Sequence, residues 1–135
     1  LNGNSDRLIL GNLDSTRDWG HAKDYVKGMW KILQNSIPDD YVLATNHTHS
    51  VREFVEKAFA LRGFNIKWKG SGIDEVGFDE ITGKDLIFIS EKHYRLSEVD
   101  SLQGDATKAI KELGWNPQYS FDKLVQDMVD ADCPL

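Results

Sequence analysis

Leu10-Gly-Asn-Leu-Asp-Ser-Thr-Arg-Asp-Trp-Gly-His-Ala-Lys-Asp-Tyr-Val26 sets a polar, turn-rich loop directly against the start of an amphipathic helix. Arg17, Asp18, Trp19 and His21 bring a cation, an anion, an aromatic face and an imidazole into one short run. A polar loop held by a rigid element behind it is where ligands usually bind. Downstream, Ala22, Tyr25, Val26, Met29, Trp30 and Leu33 recur at helical spacing, which predicts a helix over residues 21–34 with that face buried. Gly28 interrupts the helix at a cost of about 1 kcal/mol, which a close packing contact would justify.

Outward from this stretch the chain alternates short strands and helices. Arg7-Leu-Ile-Leu10, stopped by Gly11-Asn12, reads as a strand and turn. After a turn at Pro38-Asp39-Asp40, Tyr41-Val-Leu-Ala-Thr45 reads as a buried strand. Ser50-Val-Arg-Glu53 is a capping box, and Val51, Phe54, Val55, Ala58 and Phe59 line the helix it starts, with Gly63 as the stop. Phe64, Ile66 and Trp68 alternate with Asn65, Lys67 and Lys69 as a strand with one apolar face, broken by Gly70-Ser-Gly72. Val76 and Phe78, the turn Glu80-Ile-Thr-Gly83-Lys84, and Leu86-Ile-Phe-Ile89 predict a hairpin, with the acidic run from Asp74 to Glu80 as its solvated edge. Residues 90–102 read as a loop. Asp105 caps a helix carrying Ala109, Ile110 and Leu113 and closed by Gly114. Ser120, after Pro117, caps a last helix with Phe121, Leu124, Val125, Met128 and Val129 on one face. The expected fold class is α+β: one small domain with about four helices, short strands and a hairpin.

Composition narrows the function classes. The chain has 135 residues, 40% apolar and 28% charged, as expected of a globular domain. A net charge of −6 gives no overall field favouring nucleic acid or an anionic membrane, so an anionic ligand needs a local cluster of cations. The single Cys133 excludes an internal disulfide and a multi-cysteine zinc site, and nothing beside it in sequence would lower its pKa. No apolar run approaches the ~20 residues of a membrane span. The opening residues lack the pattern of a secretory leader, so a cytoplasmic protein is expected.

Two arginines are the candidates for chemistry. Arg17 lies in the loop, and Arg95 in His93-Tyr-Arg-Leu-Ser-Glu98. A guanidinium fork matches phosphate oxygens with two parallel hydrogen bonds and stays charged. Two such forks would clamp a diphosphate, and Glu98 would accept from a pair of ribose hydroxyls. On sequence alone the simpler reading of the same residues is surface ion pairs, Arg17 with Asp14 or Asp18 and Arg95 with Glu98, since the spacing is not specific. Trp19 serves either to stack on a base or sugar or to anchor the core. His21 either faces a phosphate or caps and packs. His47-Thr-His49 puts two imidazoles on an extended segment, with no third and fourth ligand in register for a metal.

The longer runs carry a resemblance. Asn12-Leu13, Arg17-Asp-Trp-Gly-His-Ala-Lys-Asp-Tyr-Val26, Asp39-Asp-Tyr-Val-Leu-Ala-Thr45, His49-Ser-Val-Arg-Glu-Phe-Val55 and Leu113-Gly-Trp115 resemble the GDP-mannose 4,6-dehydratases. These are extended short-chain dehydrogenase/reductases that act on nucleotide sugars, and the resemblance covers essentially the whole chain. It implies that Arg17 and Arg95 hold the diphosphate, that Glu98 holds the ribose, and that Trp19 belongs to the same substrate-binding site. The family usually has Pro-Ala between that Arg and Glu. Here it is Leu96-Ser97, and without the proline a looser loop is expected.

The resemblance also implies what is missing. The family binds NADP on a Rossmann domain with a Gly-rich turn and reacts through a Tyr-x-x-x-Lys pair. No Gly-x-Gly-x-x-Gly occurs here, and Tyr119 with Lys123 stands after a proline turn, far from any cofactor motif. The expectation is therefore the C-terminal substrate-binding domain over residues 1–135, without the Rossmann domain, catalytic residues, a metal or bound NADP. It would hold GDP-mannose or GDP weakly and be inactive alone. The family reaction converts GDP-mannose to GDP-4-keto-6-deoxymannose. The competing expectation is a stand-alone, self-associating, non-catalytic protein, a homo-oligomer whose contact surface is the helix carrying Met29 and Trp30.

Overall fold

The computed structural model describes residues 7–94, 99 and 101–132, so Arg95, Glu98 and Cys133 lie outside the described residues. The order is β1 (Leu8–Leu10), β2 (Thr16–Arg17), α1 (Ala22–Gln34), β3 (His49–Ser50), α2 (Val51–Ala60), β4 (Ile66–Lys69), a 3-10 turn (Gly72–Asp74), β5 (Val76–Asp79), β6 (Asp85–Ile89), β7 (Ser101–Leu102), α3 (Thr107–Leu113) and α4 (Phe121–Asp132). This is the expected α+β class, with helices at the four predicted places. The chain divides into two compact units, residues 1–15, 50–100 and 125–135 in one and residues 16–49 and 101–124 in the other.

The first unit is built on a four-stranded sheet in the order β1-β6-β5-β4. The predicted hairpin is β5 and β6, which pair antiparallel, while β1 lies parallel on β6 with Leu8 opposite Ile87 and Leu10 opposite Ile89. Val55 and Phe59 of α2 form one core with Ile66 of β4 and Ile87 of β6. The Ser50 half of the capping box forms: the Ser50 hydroxyl accepts the Glu53 N–H at 3.1 Å. The acidic run is only in part the solvated edge that its composition suggests: Asp74 and Glu80 are exposed, but the other two acids are held inside. Asp79 is buried because its carboxylate takes the Thr82 hydroxyl at 2.8 Å and the N–H groups of Asn65 and Thr82 at 3.1 Å, which builds the hairpin turn. Glu75 is half-buried because Arg52 grips it with two hydrogen bonds, at 2.7 and 3.0 Å, while also reaching Asp14 at 3.0 Å.

The second unit has a small three-stranded sheet, β3-β2-β7, in which β2 and β7 run parallel with Arg17 opposite Leu102. β7 falls inside the stretch read as loop; two residues are too few to show a period. The core gathers Ala44, Ala106, Ala109 and Trp115, with Tyr25, Tyr41, Leu43 and Leu113 against them. Gly114 ends α3 in the left-handed conformation, φ 57°, where a side chain would be strained. The strand expected at Tyr41–Thr45 is absent. Its Ala44 is buried, but the Thr45 N–H goes to the Asp18 carboxylate instead of a neighbouring strand.

The apolar face of α1 is the main departure. Val26, Met29, Trp30 and Leu33 are 63%, 57%, 62% and 80% exposed. The helix is held instead by its other side, where Asp24 and Gly28 are buried. Trp115 donates its indole N–H to the Asp24 carbonyl at 2.8 Å, and the Asp24 carboxylate accepts the N–H groups of Gln118 and Tyr119 at 2.8 and 2.9 Å. A methyl group on Gly28 would stand 2.5 Å from a Leu43 methyl and 2.9 Å from the Trp115 indole nitrogen. The hydrophobic periodicity thus marks the helix correctly but does not mark its inner face.

Candidate functional site

Arg17 occupies the end of β2, where the parallel pairing with β7 fixes its backbone. Its side chain is half-buried, and Nη1 donates to the Thr16 carbonyl at 2.7 Å. The two acidic neighbours are engaged elsewhere: Asp14 accepts from Arg52, and Asp18 turns to the loop at Thr45. Asp18 Oδ1 accepts the Thr45 N–H at 2.8 Å and the Thr45 hydroxyl at 2.6 Å, and Oδ2 accepts the Asn46 N–H at 2.9 Å. Asn46 takes a left-handed backbone, φ 65°, which asparagine tolerates better than most residues, and its Oδ1 accepts the Ala106 N–H at 2.9 Å. The sequence offers no sign of this role for Asp18, because its partners lie 27 or more residues away.

Rings order the rest of the loop. Trp19 is half-buried and stacks on Phe121, centroids 5.9 Å apart and planes at 10°. His49 stacks on Phe121 at 3.8 Å and 6°. His21 is buried, caps α1 by accepting the Lys23 N–H on Nδ1 at 3.1 Å, and stacks on Tyr119 at 4.2 Å. Of the two roles left open for His21, the structure displays capping and packing. Burial, with the Asp18 charge second, pushes the Tyr25 phenol above its ordinary value, so Tyr25 stays protonated beside the loop.

Neither glycine-rich nor Tyr-Lys elements form a cofactor site here. Gly70 precedes and Gly72 begins a 3-10 turn between the antiparallel strands β4 and β5, not the strand-to-helix turn that cradles a dinucleotide. The N–H of Tyr119 is tied to Asp24 and its ring to His21. Gly70, Gly72, Tyr119 and Lys123 therefore do not make the dinucleotide cradle. Among the described residues no group of three or more His, Cys, Asp or Glu is placed to hold a metal ion, and no helix is long and apolar enough to cross a membrane.

Comparison with known proteins supplies the ancestry. The chain is 57% identical to a GDP-mannose 4,6 dehydratase of Drosophila melanogaster over 126 residues, which is 93% of this chain and 32% of that protein. It is 53% identical to the GDP-mannose 4,6 dehydratase of Homo sapiens over 133 residues, 98% of this chain and 36% of that protein. The chain thus spans about a third of the length of these curated relatives. Among solved structures, a putative epimerase from Burkholderia cenocepacia superposes with a TM-score of 0.74 at 23% identity, over 95% of this chain and 36% of that one. UDP-glucose 4-epimerase from Bifidobacterium longum, in complex with NAD+ and UDP, superposes with a TM-score of 0.70 at 20% identity, over 98% of this chain and 37% of that one. At those identities the likeness is one of fold. The family profile described as GDP-mannose 4,6 dehydratase matches residues 1–128, and on that match the chain belongs to the GDP-mannose 4,6-dehydratase family.

Proposed function

We propose that this chain is the part of a GDP-mannose 4,6-dehydratase that holds the nucleotide end of GDP-mannose. Arg17 and Arg95 bind the diphosphate, Glu98 binds the ribose hydroxyls, and Trp19 walls the same site. The observation that carries this reading is the placement of Arg17. It ends a strand paired in register with β7, which restrains its backbone. Its acidic neighbours Asp14 and Asp18 are committed to other donors. The dehydration needs NADP and acid–base residues for which the described residues offer no fitting site, so the isolated 135 residues bind GDP weakly and turn nothing over. Mixing the chain with GDP-mannose and NADP and following the 4-keto sugar tests the second half of the statement: turnover would refute it. Calorimetry with GDP tests the first half, binding being weakened about tenfold in Arg17→Ala.

The exposed face of α1 supports a second reading, self-association of the chain. Val26, Met29, Trp30 and Leu33 form a continuous apolar stripe, and Ile37 beyond them is 71% exposed. Patches of this kind are normally covered. A second copy covers it here: light scattering should report a dimer that Trp30→Lys disperses. A monomer at high concentration would instead leave the face to the further length that the curated relatives carry.

A further inference from the structure

We infer that Asp18 is a positioning residue for the diphosphate contact of Arg17, an inference that rests on the nucleotide-sugar reading above. A carboxylate next to a phosphate-binding guanidinium is a hazard. It repels the phosphate and competes for the guanidinium N–H groups. Here both oxygens are taken by other donors. Thr45 gives its N–H and its hydroxyl to Oδ1, at 2.8 and 2.6 Å, and Oδ2 receives the N–H of Asn46 at 2.9 Å with that of Gly104 at 3.4 Å. The Asp18 N–H donates to the Leu102 carbonyl at 3.0 Å, extending the β2–β7 pairing by one bond. Asn46 then ties the same knot to the start of α3 through Ala106, and its carbonyl accepts from Gln103 at 2.6 Å.

One carboxylate therefore joins three segments: the end of β2, the turn at Thr45–Asn46, and the residues that follow β7. Arg17 is the residue immediately before it, and β7 begins three positions after Glu98 in the chain. Asn cannot replace Asp here without conflict. Its amide keeps one acceptor oxygen but presents N–H groups to the donors on the other side. Asp18→Asn should shift the Arg17 backbone by a fraction of an ångström, and such misplacement of a binding group is costly.

The test is a double-mutant cycle read by GDP calorimetry on the whole chain, with thermal unfolding of each variant alongside. Asp18→Asn should weaken GDP binding about tenfold in the wild-type background and leave binding unchanged in Arg17→Ala. Should Asp18→Asn fail to fold, Thr45→Val removes a single hydroxyl donor. It should weaken binding about threefold, again only where Arg17 is present. Equal losses with and without Arg17 would overturn the inference, since Asp18 would then act only on the fold. GDP binding by the wild type that Asp18→Asn leaves intact would overturn the inference alone. No GDP binding by the wild type would overturn the nucleotide-sugar reading and this inference with it.

Discussion

Replacing Gly28 by alanine sets two effects of opposite sign against each other. Alanine is favoured over glycine inside a helix by about 1 kcal/mol, so on an open helix face the substitution stabilises. At this position the new methyl would lie 2.5 and 2.9 Å from the two Leu43 methyls and 2.9 Å from the Trp115 indole nitrogen. The Leu43 methyls end a flexible side chain and can yield. Trp115 cannot, because it is buried and its indole N–H is held by the Asp24 carbonyl at 2.8 Å. Overpacking of this kind costs roughly 1–3 kcal/mol, plus about 1 kcal/mol if the indole bond is lost. The net expectation is a loss of about 1–2 kcal/mol after the propensity gain is subtracted. For a chain of this size that is a fall of roughly 4–8 °C in thermal midpoint, followed by circular dichroism. Leu43→Ala in the Gly28→Ala background should recover part of the clash. A midpoint that rises in Gly28→Ala would refute the packing of α1 against Trp115.

Three further outcomes follow from other contacts. His21→Ala should cost about 1 kcal/mol and His21→Asn much less, because asparagine keeps a cap acceptor; equal losses in thermal unfolding would show that the Tyr119 stack, not the cap, matters. Arg52→Ala should destabilise by about 2–3 kcal/mol, below the figure for a fully buried pair because the Arg52 side chain is 23% exposed, and a cycle with Glu75→Gln should return a coupling of about 1–2 kcal/mol. The Thr82 hydroxyl, then the N–H groups of Asn65 and Thr82, hold the Asp79 carboxyl below its ordinary value against the opposing effect of burial. A depressed folded value means that stability is present in full above the unfolded value of about 3.9 and is lost as pH falls through the folded one. Asp79→Asn should lower the midpoint at pH 6 but narrow its fall between pH 5 and pH 3, and an unchanged acid limb would contradict the assignment.

Local signals were legible in the sequence. The Ser50 N-cap, the Gly114 stop, the alternation through Ile66 and the hairpin around Gly83 each depend on residues a few positions apart, and each forms as read. Signals that depend on distant partners were not. Nothing near Tyr41–Thr45 says that its Thr45 N–H will go to a carboxylate 27 residues earlier, so a buried apolar run looked like a strand. Helical periodicity finds an apolar stripe but cannot say what covers it, and on α1 the stripe faces outward while Gly28 and Asp24 face the core. For the site, residue types and the family resemblance picked out Arg17 and Trp19. Asp18 reads in sequence only as an ion-pair partner, because its actual donors include main-chain N–H groups, which leave no mark in sequence.

The most direct measurement compares GDP with GMP by calorimetry on the wild-type chain, Arg17→Ala and Arg95→Ala. If both guanidinium groups grip the diphosphate, the wild type binds GDP about tenfold or more tightly than GMP, and either substitution removes most of that difference. Equal affinities for GDP and GMP in the wild type, or a preference that survives both substitutions, would contradict the assignment of these arginines to the nucleotide.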